Sequence, residues 1–176
     1  MEILLGQGAF KIDGVIVGLT RGGGSFGIEQ EIKDIEADGD YGPVKGRQKI
    51  IKRIPKIKLK RLQKVLADFT KMYPNMKTTT TTTYSGVTWS GTGNILSGDV
   101  AIALADTDYH TVEFVGKTLE GKPVVLKIFN GMARDKIEWA LTDKEEVIAE
   151  IEYTGHYTEG STVQPWEIFY PTATSA

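Results

Sequence analysis

The stretch SFGIEQEIKDIEADGDYGPV (Ser25–Val44), followed by KGRQKIIKRIPKIKLKRLQK (Lys45–Lys64), decides the fold. The first half carries one lysine and six acids, and the second carries ten Lys or Arg and no acid. In both halves apolar and polar residues alternate with the period of two that is typical of strands. Because the halves are opposite in charge and are joined by a Gly- and Asp-rich break, they predict a long β-hairpin around 26–60 with cross-strand ion pairs.

The basic half also has a functional interpretation that competes with the hairpin. Ten clustered cations are enough to give a steep, salt-dependent affinity for phosphate groups. The charge of the rest of the chain argues against this interpretation. After Lys64 there are eight Lys or Arg and fifteen acids, and the whole protein has a net charge of −2. We therefore expect no general attraction to nucleic acid or anionic membranes. A nucleic-acid-binding β module using residues 45–64 is kept as the main alternative function.

The composition fits one globular domain over residues 1–176, with 171–176 expected to form a frayed end. The chain is 40% apolar and 25% charged, and it contains no cysteine. Disulfides, thiolate metal sites and cysteine nucleophiles are thereby excluded. We expect neither secretion by a visible signal nor a membrane span, because no basic leader and no run of roughly 20 apolar residues is present.

Several more segments have strand patterns, and one has a helix pattern. Strands are predicted at 12–20, at 112–114 and 126–128 around a turn at 119–123, at 137–141, and at 149–153. Pro55 places its strand at an edge or at a bulge, since proline has no N–H to donate. Apolar residues at helical spacing predict an amphipathic helix at about 60–72: Leu62, Val65, Leu66, Phe69 and Met72. The predicted fold class is therefore mainly β with one helix.

Two segments allow alternative interpretations. Thr78–Thr83 is a run of six threonines, which favours an extended loop or an exposed strand, with low-complexity disorder as the alternative. Thr142–Glu145 matches a helix capping box. A tight turn between strands is favoured there over a short helix.

The glycine-rich segment Gly22–Gly27, GGGSFG, matches two catalytic patterns. As a dinucleotide-binding motif it requires a helix immediately afterwards. As a nucleophile motif it would place Ser25 on a strand-to-helix elbow, with His110 or His156 as the base. Because the residues after Phe26 alternate like a strand, a plain glycine-rich turn or bulge is favoured. A small serine hydrolase using Ser25 is the third functional hypothesis.

Metal and cofactor sites are not expected. Asp99, Asp106 and Asp108 are close in sequence, but their spacing does not match an EF-hand loop. They are interpreted as loop and turn acids, and the two histidines as packed or surface residues. The sequence thus predicts no catalytic, cofactor or metal site.

Short motifs in a fixed order cover most of the chain. They are Gly14–Val15 with Arg21–Phe26, Glu31–Ile32 to Asp38–Gly39, Gly42–Gly46, Asp108–Tyr109, Gly121–Val124, Asp143–Glu146, Gly155–Tyr157 and Gln164–Ile168. This ordered set resembles the major tail tube proteins of long-tailed, noncontractile bacteriophages. The resemblance implies a β-sandwich or half-barrel with one helix packed outside, and a structural rather than enzymatic role.

The resemblance also implies an assembly and a location. Six copies would close into a ring, and stacked rings would form the conduit for DNA leaving the capsid. Such a tube belongs to the virion tail, is assembled in the host cytoplasm, and contacts tail-tip, tape-measure and tail-terminator proteins. Double-stranded DNA would pass through it without tight binding.

Two groups of residues are expected to serve this role. The hairpin tip should contact a neighbouring subunit, because a long polar hairpin has too little core to be ordered alone; it comprises Gly39, Asp40, Tyr41, Gly42, Pro43 and Val44. A conduit should be acidic or neutral inside, because a basic lining would accumulate phosphate contacts. The expected lumen-facing residues are Glu29, Glu31, Glu150 and Glu152. The cations of 45–64 should be paired across the hairpin, buried at subunit contacts or turned outward.

Overall fold

A computed structural model describes residues 4–18, 20–62, 71–87, 91–98, 100, 103–134 and 148–171. Ten strands alternate with turns and loops over these ranges: β1 (Leu4–Ile12), β2 (Val15–Ile16), β3 (Thr20–Asp34), β4 (Gln48–Arg61), β5 (Met76–Thr81), β6 (Gly93–Gly98), β7 (His110–Thr118), β8 (Pro123–Ala133), β9 (Ala149–Gly155) and β10 (Trp166–Phe169). A short 3-10 turn at Asp106–Asp108 precedes β7. The predicted mainly β fold is confirmed.

Eight of the strands form one antiparallel sheet. Its order is β2-β1-β7-β8-β9-β4-β3, and β10 pairs with β8 beside this path. β5 and β6 form a separate two-stranded sheet. On one edge of β8, β10 covers Val125–Ile128 and β9 covers Gly131–Ala133. The charged hairpin, β3 and β4, therefore lies at one end of the large sheet.

The core contains the alternate apolar residues that the sequence pattern predicts. Ile57 and Leu59 of β4 are fully buried, as is Tyr153 of β9. The strands predicted around 112–114, 126–128 and 149–153 are all present. Gly121 has a φ of 82° in the tight turn between β7 and β8, where Thr118 N–H donates to Lys122 O at 2.8 Å. That hairpin prediction is confirmed.

The sheet curls until its two end regions lie close together. The rings of Phe10 (β1) and Phe114 (β7) pack with centroids 4.9 Å apart. A Cβ atom built on Gly24 (β3) would lie 2.5 Å from Phe10 Cζ. Only a glycine leaves room for this approach, so β1 and β3 face each other although they are at opposite ends of the strand order.

The prediction of a single strand at 12–20 is wrong. Asp13 and Gly14 have φ values of 51° and 77° and form a turn, so that β1 folds back onto the two-residue β2. Asp-Gly is a favoured pair for such turns, because both residues tolerate a positive φ. The turn is anchored by Asp13 N–H, which donates to Thr111 O at 2.8 Å. The turn preference of the Asp-Gly pair thus outweighs the strand preference of the β-branched residues around it.

The prediction of a helix at about 60–72 places the start of that helix too early. Lys60 and Arg61 belong to β4 and lie opposite Glu150 and Ala149 of β9, because pairing with a distant strand overrides the local helical spacing. Residues 63–70 lie outside the described residues, and residues 71–72, the described end of the expected helix, have helical backbone. Arg61 is 1% exposed, and its Nη1 donates to Met72 Sδ at 3.6 Å.

The threonine run is extended, as predicted. Its first part belongs to β5, which is mostly exposed and pairs with β6. The strand expected at 137–141 and the turn or capping box at 142–145 lie outside the described residues. Among the described residues, no helix is long and apolar enough to cross a membrane.

Candidate functional site in the charged hairpin

The predicted hairpin is present as β3 and β4. The two strands pair from Thr20 opposite Arg61 to Asp34 opposite Gln48, with irregularities near both ends. Phe26 faces Ile57 on the core side of the sheet, whereas Ser25 lies opposite Lys58 on the outer side. The alternation seen in the sequence therefore separates an apolar face from a charged one.

The distal half of the hairpin leaves the rest of the sheet. β9 pairs with β4 only from Lys56 to Arg61, and residues 48–52 of β4 are all exposed. We call residues 30–53, which comprise the distal parts of β3 and β4 and the turn between them, the arm. Pro55 lies immediately beyond the last position that pairs with β9. The expected edge position of its strand is wrong, because β4 lies between β9 and β3. Beyond that point, among the described strands, β4 has only β3 as a partner.

The base of the arm is held by close packing and by a hydroxyl group. Pro55 packs against Gly155 at the end of β9. Tyr157 Oη lies 2.9 Å from Arg53 O and 2.7 Å from Gln164 Oε1. Since a phenol has one proton, it donates to the Arg53 carbonyl when the Gln164 amide is turned to donate to Oη. The tyrosine thus satisfies a strand carbonyl where β9 no longer does.

The tip of the arm is organised by one carboxylate. Asp40 Oδ2 accepts a hydrogen bond from Ala37 N–H at 2.8 Å and from Arg47 Nη1 at 2.7 Å. Ile35 N–H donates to Arg47 O at 2.8 Å, which closes the turn. Tyr41, next to Asp40, is fully exposed. The predicted tip residues 39–44 therefore lie together at the end of the arm, in a turn that is fixed by its own hydrogen bonds.

A second feature is a face of alternating charge across β3, β4 and β9, which we call the charged face. Strand register places on it four acids and four lysines: Glu29, Glu31, Glu150, Glu152, Lys52, Lys56, Lys58 and Lys60. Lys56 of β4 contacts an acid on each neighbouring strand. Its Nζ lies 2.5 Å from Glu29 Oε1 of β3 and 3.4 Å from Glu152 Oε1 of β9. All four acids predicted to share a lumenal surface therefore do share one face.

Two of the other three lysines of this face pair with β9 rather than across the hairpin. Lys58 and Lys60 both pair with Glu150, the second at 3.4 Å. The hydrogen bond from Lys58 lowers the pKa of Glu150, and the hydrogen bond to Glu29 raises the pKa of Lys56. Pairing across the hairpin is thus confirmed for Lys56, and Arg47 pairs with Asp40 inside the turn. For Lys58 and Lys60 the partner is a strand about ninety residues away in sequence.

Among the described strands, both ends of the large sheet are open edges. On its outer side β3 has no strand partner among the described residues. At the other end, β2 covers only the last two residues of β1, and Val15 and Ile16 of β2 are 60% and 64% exposed. Unpaired N–H and C=O groups at such edges are available for pairing with another chain.

The residues considered for catalysis do not form a nucleophile elbow. Ser25 lies within β3, opposite Lys58, with strand on both sides. His110 Nδ1 lies 2.8 Å from Asp13 Oδ2, and His156 stacks edge-on against Tyr109 with its Nδ1 3.1 Å from Asn130 O. Each histidine is thus engaged in a local structural contact.

Of the acids considered for metal binding, Asp108 has structural partners. Asp108 accepts hydrogen bonds from Ala105 N–H at 2.8 Å and Asn75 N–H at 3.3 Å, and so caps the 3-10 turn. Within the described ranges, no three His, Asp or Glu side chains are grouped so that they could hold a metal ion. Asp99 lies outside those ranges.

The sequence matches no protein-family model and is not significantly similar to any curated protein. Function is therefore inferred from the arm, the open sheet edges and the charged face.

Proposed function

We propose that this protein is a structural, non-enzymatic subunit of a phage tail tube, and that it assembles into stacked hexameric rings that conduct DNA. The observation that carries the proposal is the arm. It leaves the sheet at Pro55 and is exposed on both faces along residues 48–52. A two-stranded ribbon of this kind is marginally stable alone in water. Contact with other copies would therefore stabilise the arm.

The open edges support lateral assembly. β3 at one end of the sheet and β1–β2 at the other are different surfaces, so a contact between them joins copies head to tail. A heterologous contact of this kind closes into a ring when the rotation between copies allows it. In the proposed ring the sheets of six copies form a continuous barrel, and no unpaired strand edge remains exposed.

The curled sheet supports the half-barrel form of the fold. Phe10 reaches Gly24 across its open side, so each subunit is strongly curved around its own apolar core. The sandwich arrangement and the outer helix over residues 63–72 remain part of the proposal. They follow from the family resemblance.

The balance of charge on the charged face supports its use as the lumen. Four lysines and four acids alternate there, and three of the lysines lie within ion-pair distance of carboxylates. Each position would recur six times in a ring, so an unpaired basic face would hold DNA through many phosphate contacts. A balanced face lets DNA slide. We propose that Glu29, Glu31, Glu150 and Glu152 line the channel.

The nucleic-acid-binding module is the weaker proposal because of the same pairs. Lys56, Lys58 and Lys60 would have to exchange carboxylate partners for phosphates, which reduces the gain from each contact. The serine hydrolase is weaker still, because Ser25 lies in a strand where the nucleophile motif needs a strand-to-helix turn.

Partners and location follow from the tube proposal. Tail-tip, tape-measure and tail-terminator proteins would contact the two ends and the inside of the tube, which is assembled in the host cytoplasm and resides in the virion tail. Sedimentation velocity over a range of concentrations tests the proposal. Discrete hexamers or long polymers are expected, and a monomer at every concentration, with or without tail-tip protein, contradicts it.

A further inference from the structure

An apolar cavity opens between the two facing regions of the curled sheet. Its volume is about 220 Å³, larger than the cavity of about 150 Å³ that suffices for benzene in an engineered protein. Its walls are aromatic and aliphatic: Phe10, Phe26, Ile57, Phe114 and Leu126. Phe10 and Ile57 are buried, so the cavity has an apolar floor.

The rim of the cavity is small and polar. Thr20 lies on it and is exposed, and strand alternation places this residue on the same face as Phe26. Gly6 also lies on the rim, where a Cβ atom would meet nothing within 4 Å. A benzene-sized ring carrying one hydroxyl group would therefore find apolar walls around the ring and a hydrogen-bond partner, Thr20, at the opening.

A group of that kind is presented by the other end of the same hairpin. Tyr41 is the only aromatic residue between Gly27 and Lys56, and its exposure of 108% is as large as an isolated tyrosine would have. The neighbouring Asp40 fixes the turn through two hydrogen bonds. The phenol is thus held outward on an ordered tip with nothing of its own chain around it among the described residues.

We propose that Tyr41 of one copy inserts into the cavity between β1 and β3 of a second copy. The inference rests on the proposed assembly and specifies where the arm docks. The occupant is a second copy because this chain supplies both a matching ring and a matching cavity. Aromatic side chains that fill pockets are the usual energetic anchors of protein interfaces.

The geometry makes this contact open-ended. The cavity lies at the base of the β3–β4 hairpin and Tyr41 lies at its tip, so each copy offers both halves of the contact in opposite directions. Nine residue steps separate Ser25 from Asp34, which is about 30 Å of strand, and the turn adds to this. A head-to-tail contact of this kind stacks copies without closing, with an axial repeat of at least about 30 Å.

Cysteine cross-linking tests the contact directly, because the natural chain has no cysteine. The variant Pro43→Cys/Thr20→Cys, which keeps Tyr41 and places a cysteine at an exposed position beside it, is treated at high concentration with a short bismaleimide. A ladder of linked oligomers is expected on a denaturing gel, since the two positions are too far apart to be linked within one hairpin. The matched control, Pro43→Cys/Val163→Cys, also keeps Tyr41 but moves the second cysteine to an exposed residue that does not line the cavity, and it should run as an unlinked monomer on the gel.

A second pair of variants measures the anchor itself. Tyr41→Ala should raise the concentration required for assembly at least about tenfold, which corresponds to about 1.4 kcal/mol. Tyr41→Phe keeps the ring and should stay within about threefold of the natural protein. Because Tyr41 is exposed in the monomer, both variants should unfold at the same urea concentration as the natural protein.

The outcomes separate this inference from the proposed function. If tubes form but the Thr20 variant is not linked, or if Tyr41→Ala assembles normally, the docking site is wrong and the tube proposal stands. A linked Thr20 variant that never forms rings or tubes supports the contact and contradicts the tube. If neither links nor assemblies form, both fail.

Discussion

Pro55 of β4 lies directly against Gly155 of β9, so closely that a Cβ atom built on Gly155 would lie 2.6 Å from Pro55 Cγ and 2.7 Å from Ile128 Cγ2. This contact marks the point where the pairing between β4 and β9 ends and the arm begins. The proline needs no ladder partner on its open side. The direction of the arm is therefore fixed at its base by packing.

Replacing Gly155 by alanine should destabilise the protein. The added methyl group overlaps two buried side chains that have little room to move, and overpacking of this kind costs about 1–3 kcal/mol. Urea denaturation measures it. Gly27→Ala is the matched control, because its Cβ would meet nothing within 4 Å, and its stability should change by less than about 0.5 kcal/mol. Equal stability of both variants would show that the junction is loosely packed.

Deleting Gly39–Pro43 should leave a folded subunit that assembles poorly. None of these residues is buried, so the urea midpoint of the shortened protein should match that of the natural one. The concentration required for assembly should rise at least about tenfold, because the tip contact is lost. Circular dichroism and sedimentation velocity check the two statements. Normal tubes from the shortened protein would remove the arm from the interface.

Glu150→Gln should flatten the dependence of stability on pH. Pairing with Lys58 lowers the pKa of Glu150 in the folded state, so its stabilising effect is present above the unfolded pKa, about 4.3, and is lost as the pH falls through the folded value. The urea midpoint of the natural protein should fall more between pH 6 and pH 3 than that of the variant, and about 1 M salt should reduce the difference. Glu36→Gln, in the exposed turn, is the control that should keep the natural profile.

The sequence predicted the paired elements best where both partners are close in the chain. The β3–β4 and β7–β8 hairpins were recoverable because alternation and turn residues are local signals. The Asp13-Gly14 turn could have been found as well, since Asp-Gly is itself a hairpin signal. It was masked by the β-branched residues on either side.

Long-range pairing could not be predicted in this way. The partner of Lys58 and Lys60 is Glu150, and nothing in the local pattern says which strand lies beside β4. The same pairing extends β4 to Arg61, which local helical spacing assigned to a helix. The cavity beside Phe10 depends on the curl of the whole sheet, so neither its existence nor its lining follows from any one segment.

Ser25→Ala should abolish no activity. Ser25 lies in a continuous strand, whereas a serine nucleophile of this motif needs a strand-to-helix elbow. Hydrolysis of generic acyl esters should be at background for the natural protein and for the variant. Turnover by the natural protein that disappears in Ser25→Ala would promote the hydrolase over the structural role.

Duplex DNA should bind the free subunit only weakly at physiological salt, because three of the four lysines of the charged face already have carboxylate partners. Fluorescence anisotropy with a labelled duplex over a salt series measures this. Removing those partners, in Glu29→Gln/Glu150→Gln/Glu152→Gln, should strengthen binding and steepen its salt dependence. Submicromolar binding by the natural protein, lost in Lys56→Gln/Lys58→Gln/Lys60→Gln, would favour the nucleic-acid-binding module.

The most direct test of the tube is negative-stain electron microscopy of the purified protein at high concentration, alone and with a tail-tip protein to nucleate assembly. We expect rings with sixfold symmetry around a central channel, and tubes in which such rings stack with an axial repeat of at least about 30 Å. Fields that contain only monomers under both conditions, or closed dimers without a channel, would contradict the proposal.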